Sequence, residues 1–189
     1  MSGSKAVGKT TLIQGLRKKI PDLIIREGFR QVNNEYNMNI EKDYYDNERW
    51  YISREIEEFQ KMKQLPNPVL LLRGPEDLAF YAIHYPKISN FNWDVEKNLF
   101  HELTELRECK SDYILYLDAD IETILKRKNE DLTKSRKNMD NWLKYWQPYI
   151  ERYIKSIEYT TVLNTNDMPT NEVLKWTLEW INKKMKERY

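Results

Sequence analysis

A single cysteine, Cys109, stands in the 189 residues, so the chain can close no internal disulfide, and a reducing, cytoplasmic setting is expected. Charge of one sign is lacking too: 31 lysines and arginines face 30 aspartates and glutamates, for a net charge of +1. That balance removes the bulk electrostatic reason to bind nucleic acid or a membrane surface. No apolar run approaches the ~20 residues that span a bilayer. Met1 to Gly8 shows neither the charged start nor the apolar stretch of a signal peptide. Repeats, linkers and low-complexity segments are absent from the sequence. Glycine is scarce, five in all, which makes the places where it does occur informative.

What is present is an alternation of short apolar runs with helical stretches. Strands are predicted at 22–25, 69–72, 113–117 and 160–163. The apolar Val69–Leu72 run reads as a strand buried on both faces of a parallel sheet. Helices are predicted at 10–19, 48–63, 75–85, 95–109, 121–128, about 135–157 and 171–186. Pro75 suits a first helical turn. The aromatics, 13 tyrosines and 6 tryptophans, read mainly as core and helix-face packing. Strand–helix alternation implies one α/β domain over 1–189, with a parallel sheet and flanking helices.

The chemistry is carried by Gly3-Ser4-Lys5-Ala6-Val7-Gly8-Lys9-Thr10, which matches the phosphate-loop pattern G-x-x-x-x-G-K-[ST] at every fixed position. The glycines let backbone N–H groups turn inward around phosphate oxygens. Lys9 reaches the β- and γ-phosphates, and the Thr10 hydroxyl can ligate Mg²⁺. Thr10 and Thr11 open a helix whose positive end points at the same anion. The expected ligands are ATP and Mg²⁺. Such a loop ordinarily follows a buried strand, and only Met1 and Ser2 precede Gly3, so the first strand is expected to be missing here.

Two of the other glycines, Gly28 and Gly74, end predicted strands, which places Glu27 and Arg73 at strand ends where α/β sheets hold ligands. With Arg26-Glu27-Gly28, Leu72-Arg73-Gly74 and Tyr116-Leu117-Asp118 following the phosphate loop in that order, the chain resembles the P-loop nucleoside and nucleoside-monophosphate kinases of the deoxynucleoside kinase and thymidylate kinase branch. The resemblance covers nearly the whole chain and implies a three-layer P-loop NTPase fold. It implies Glu27 as base or Mg²⁺ organiser near the acceptor, and Arg73 as the residue steadying the transferring phosphoryl group or the acceptor phosphate. A basic lid at about 126–137 would supply Arg127 and Arg136, with Lys128 and Lys134 nearby. Asn164, in the loop after the last strand, would lie beside adenine. Where these kinases carry an acidic residue before the arginine, this chain has Leu72, and Glu27, Glu76 or Asp77 would have to compensate. Asp118 mimics a metal-binding aspartate but reads as structural or nucleotide-proximal.

The implied reaction is transfer of the γ-phosphoryl group of ATP to a (deoxy)nucleoside monophosphate or nucleoside, by positioning and charge cancellation. Phe80, Tyr81, His84 and Tyr85 are candidates to stack on a base. Arg26, Arg30 and Arg73 near the acceptor favour an anionic one, a monophosphate. Two alternatives are a kinase of another small hydroxyl compound and a catalytically weak nucleotide-binding regulator. Kinases of this kind are commonly dimers, which leaves a homodimer open.

Overall fold

Strands β1 (Ser2–Gly3), β2 (Ile24–Glu27), β3 (Val69–Leu72), β4 (Ile114–Asp118) and β5 (Thr160–Asn164) alternate along the chain with nine helices among the described residues. These are α1 (Lys9–Lys19), α2 (Glu41–Lys63), α3 (Pro75–Ile88), α4 (Val95–Asn98), α5 (Phe100–Glu108), α6 (Ile121–Asn129), α7 (Met139–Tyr145), α8 (Gln147–Lys155) and α9 (Thr170–Arg188). The structure, a computed structural model, describes residues 1–27, 35–130 and 139–188. They fall into two units, one of Met1–Ile25 with Asp112–Tyr189, the other of Arg26–Ser111. None of the described helices is long and apolar enough to cross a membrane.

In the first unit β1, β4 and β5 form a parallel sheet in that order. β4 is its buried centre: Ile114, Leu115, Tyr116 and Leu117 are all inside, as a continuous apolar run paired on both edges should be. The first strand, expected to be missing, is present as β1, only two residues long, with Ser2 opposite Tyr116 and Gly3 opposite Leu117. Gly3 has φ 140°, and a Cβ there would lie 2.4 Å from the Leu117 carbonyl oxygen, so this strand can approach β4 only as glycine. Helix α1 buries Leu12, Ile13 and Leu16, spaced to share one face. Each fully buried aliphatic side chain contributes roughly 1.5–3 kcal/mol. Arg17, Lys18 and Lys19 complete its last turn and complement the helix dipole. Gly15 lets α1 lie close to α9: a Cβ would meet the Leu174 side chain at 2.9 Å.

In the second unit α2, α3, α4 and α5 pack around Tyr44, Ile52, Ala79, Ala82, Val95, Leu99, Leu103 and Leu106. Pro86 sits inside α3. It has no N–H for the carbonyl four residues back, that of Ala82. The Tyr44 hydroxyl, from fully buried Tyr44, donates to that carbonyl instead. A proline that would ordinarily end the helix is therefore accommodated, and α3 runs on to Ile88. Asp77 reaches back to the Gly74 N–H at 3.4 Å and caps the start of the helix, where Pro75 occupies the first turn as expected.

The α/β alternation is as the sequence implies, but several boundaries move. β2 lies two residues later than 22–25, at Ile24–Glu27. Helix α2 begins at Glu41, a turn and more ahead of 48, with Glu41 and Asp43 in its first turn. The stretch 95–109 is two helices that turn at buried Leu99, whose ψ of 29° leaves the helical range. The stretch about 135–157 is divided at Trp146, because Pro148 cannot donate to the Lys144 carbonyl and instead fits the first turn of a new helix. β3 is half-buried along its length rather than buried on both faces; β2 is its one pairing partner among the described strands.

Candidate active site

The loop from Gly3 to Gly8 turns through three residues with positive φ: Gly3 at 140°, Ala6 at 65° and Gly8 at 100°. Gly8 is the N-cap of α1, and the first helical bond runs from the Leu12 N–H to the Gly8 carbonyl at 2.9 Å. The N–H groups of Lys9, Thr10 and Thr11 precede that bond and have no carbonyl partner within the helix. No acidic residue lies in the first turn and no side chain caps it. An anion fits this donor set, with the helix dipole behind it. Gly8, Thr10 and Thr11 are exposed, and Ser4 and Val7 are buried, so the loop is anchored on one side and open on the other.

Lys9 folds back over the loop: Nζ donates to the Gly3 carbonyl at 2.7 Å and to the Ser4 carbonyl at 2.5 Å. The Ser4 hydroxyl donates to Gln147 Oε1 at 2.7 Å and lies 3.1 Å from the Lys5 carbonyl. Lys5 Nζ sits 5.8 Å over the Trp142 ring. Neither Gln147 nor Trp142 was a candidate from sequence, and nothing local in the chain marks them. No group of three or more His, Cys, Asp or Glu among the described residues could hold a metal. The donor set near Thr10 suits Mg²⁺ only together with phosphate oxygens.

On the same unit Arg127, in α6, points both terminal guanidinium nitrogens at Thr165: Nη1 reaches its hydroxyl at 3.1 Å and Nη2 its carbonyl at 2.6 Å. Thr165 in turn bonds the Asp118 carbonyl with both its N–H and its hydroxyl, each at 2.9 Å. Asn164 is exposed at the end of β5 and accepts the Asn166 N–H at 2.9 Å. The Asp118 carboxylate is engaged by Lys155 Nζ at 2.7 Å, and Lys155 also bonds Glu151 at 2.7 Å. Burial pulls the Lys155 ammonium down, but Asp118 and Glu151 outweigh it and hold its pKa above the ordinary lysine value. Asp118 is thus in a structural ion pair, in line with the structural reading of it. Lys128 pairs with Asp140 at 2.8 Å. Lys134 and Arg136 of the expected lid lie outside the described residues.

In the second unit Glu27 ends β2 and Arg73 follows β3, as expected of strand-end residues. Arg73 has φ 63°, a left-handed conformation that costs a non-glycine residue about 1–3 kcal/mol and concentrates at functional positions. Its guanidinium lies 5.8 Å over the Tyr81 ring. Two of the three carboxylates expected to stand in for the acid missing at Leu72, Glu76 and Asp77, have other work. Glu76 accepts the Ser111 N–H at 2.8 Å and hydroxyl at 3.0 Å, and Asp77 caps α3. Arg26 is bound through two bonds to Glu55, at 3.1 and 2.9 Å, both side chains largely buried. It is therefore neutralised, and the triad of acceptor cations loses a member. Gly28 and Arg30 lie outside the described residues.

The aromatics near Arg73 stack largely on one another. Phe80, 1% exposed, faces His84 at 4.1 Å and 20°, and Tyr85 stacks on Tyr44 at 5.4 Å and 11°. His84 Nδ1 is 3.1 Å from the Phe80 carbonyl, and burial pushes the His84 pKa below its ordinary value. Burial likewise pushes the Cys109 thiol up, away from reactivity.

Comparison with known proteins places these features in context. The model of a family described as deoxynucleoside kinase matches residues 1–187. The deoxyadenosine kinase of M. mycoides with bound dATP superposes with a TM-score of 0.69 at 15% identity, over 96% of this chain and 97% of that one. The same enzyme with dCMP and dCDP bound gives 0.66 at 15% identity, over 96% of each. Thymidylate kinase from Candida albicans gives 0.60 at 16% identity, over 97% and 90%. At such identities the likeness is one of fold. Among curated proteins no sequence match was found.

Proposed function

The chain belongs to the deoxynucleoside kinase family and is a phosphotransferase, and on that premise we propose that it transfers the γ-phosphoryl group of ATP to a hydroxyl of a deoxynucleoside. The observation that carries the donor half is the Gly3–Thr10 loop, with Lys9 poised on the carbonyls of Gly3 and Ser4 at the open start of α1. Mg²⁺ bound with the nucleotide would be held by Thr10 and would draw charge from the phosphates. Lys9 and Arg73 cancel the rest of the developing charge, with Arg136 as lid arginine. Arg127 holds the loop that carries Asn164 beside the base of the nucleotide. Glu27 takes the proton of the acceptor hydroxyl as its oxygen bonds to phosphorus and ADP leaves.

The Arg26–Glu55 pair tips the acceptor toward a nucleoside. A monophosphate needs cations to receive it, and one of the three expected is already satisfied by a carboxylate. The test is an ADP-release screen with ATP and Mg²⁺ over deoxynucleosides and their monophosphates. Turnover on at least one deoxynucleoside is expected, abolished in Lys9→Ala. Turnover on monophosphates alone would overturn the acceptor reading.

A further inference from the structure

Gln147 opens α8 and is 5% exposed. Its Oε1 accepts the hydroxyl of Ser4, itself 1% exposed, at 2.7 Å. The carbonyl of that same Ser4 accepts Lys9 Nζ. One residue of the loop thus joins Gln147 to the phosphate-binding lysine. A second tie runs beside it, from Lys5 to the Trp142 ring in α7. The break at Trp146, which Pro148 imposes, starts a new helix with Gln147 buried at its head. In a dry interior this bond is stronger than in water, and an unpaired Ser4 hydroxyl would be costly. Without Gln147, the hydroxyl is left with the Lys5 carbonyl, 3.1 Å away in its own loop.

We propose that Gln147 is a positioning residue for nucleotide binding. By holding Ser4 it fixes the backbone on which Lys9 rests and from which Lys9 turns to the phosphates of the donor. The inference rests on the reading of Gly3–Thr10 as the nucleotide site. Glutamine supplies the acceptor Ser4 needs without placing a carboxylate beside a polyphosphate.

The test compares Gln147→Leu, Ser4→Ala and the double variant of the full chain. ATP Kd is measured by calorimetry, KM for ATP and for the acceptor by ADP release, and Tm by circular dichroism. Loss of one interior hydrogen bond should raise ATP Kd and KM about five- to tenfold, with acceptor KM unchanged. The double variant should be no worse than the worse single one. Ser4→Ala adds no volume, so it decides the matter if Gln147→Leu does not fold. ATP Kd within about twofold of wild type in either folded single variant, additive effects, or an equal rise in acceptor KM would overturn the proposal. Lys9→Ala separates the two levels. If it too leaves ATP affinity intact, the nucleotide reading of the loop fails. If it loses affinity while Gln147→Leu does not, only the positioning role fails.

Discussion

The Tyr44 hydroxyl donates to the Ala82 carbonyl, the group that Pro86 has no N–H to satisfy. The bond joins α2 to α3 at the one point where the α3 ladder is interrupted by sequence. Tyr44→Phe should therefore leave a buried carbonyl short of its donor and cost about 1–3 kcal/mol. Pro86→Ala restores the helical N–H, so in that background Tyr44→Phe should cost less. Urea unfolding of the two singles and the double checks this; strictly additive costs would show that the tyrosine does not compensate the proline.

Gly3 should tolerate no side chain. Alanine there needs a Cβ 2.4 Å from the Leu117 oxygen at a φ of 140°, and the nearest atoms are backbone that cannot swing aside. The strain and the loss of the two β1–β4 pairings together should exceed about 2 kcal/mol, with nucleotide binding lost in parallel. Gly8→Ala is the contrast, because nothing lies within 4 Å of its Cβ and only its φ of 100° opposes the change. Chemical denaturation of the two variants should rank Gly3→Ala as the worse; the reverse order would refute the close approach.

Some of this was readable from residue order. The phosphate loop was, because its conformation requires glycine at fixed spacing, and Gly3 and Gly8 do take positive φ. Val69–Leu72 was, as a short apolar run bounded by Pro68 and Gly74. The division at Trp146 has a signal in Pro148, a residue that suits a first helical turn and not a helix interior. The turn at Leu99 had none: an apolar residue at helical spacing looks the same in a straight helix. Pairings between distant residues were the least legible. Ser4 and Gln147 are 143 positions apart. In a chain so rich in both charges, nothing local tells Arg26 to meet Glu55 or Asp118 to meet Lys155. Of these contacts, Arg26–Glu55 takes Arg26 out of the expected acceptor triad, while Asp118–Lys155 keeps Asp118 in the structural role read for it.

Arg26 and Glu55 provide a direct check on that reassignment. Their side chains are 25% and 12% exposed and share two hydrogen bonds. Arg26→Ala should cost about 1.5–3 kcal/mol in stability, while the KM for the acceptor stays near the wild-type value. A stable Arg26→Ala protein with a selectively raised acceptor KM would return Arg26 to the acceptor site.

His84 should give stability a pH dependence. Burial holds its folded pKa below the ordinary 6.5, so the unfolded chain binds the proton more readily. Stability is then fully present above about 6.5 and is lost as pH falls through the folded pKa. The Phe80 carbonyl and Glu96 favour the charged ring, burial and Lys87 oppose it, and burial is the largest of the four. His84→Asn should flatten the fall in Tm below pH ~6.5; an unchanged profile would assign it to other groups.

The unit that carries the phosphate loop is written in two pieces, Met1–Ile25 and Asp112–Tyr189, and Ser2 finds its strand partner only at Tyr116. During synthesis, at about 5–20 residues per second, the loop is made well before the strand it pairs with and is completed only with that strand. Residues Arg26–Ser111, contiguous and held by contacts among neighbouring helices, can gain order while the beginning of the chain still waits. In pulse-labelled hydrogen exchange during refolding, amides of α2 and α5 should therefore be protected before those of Tyr116 and Leu117. Nucleotide, which needs β1 in place against β4, should speed none of the early phase and act only on the last step.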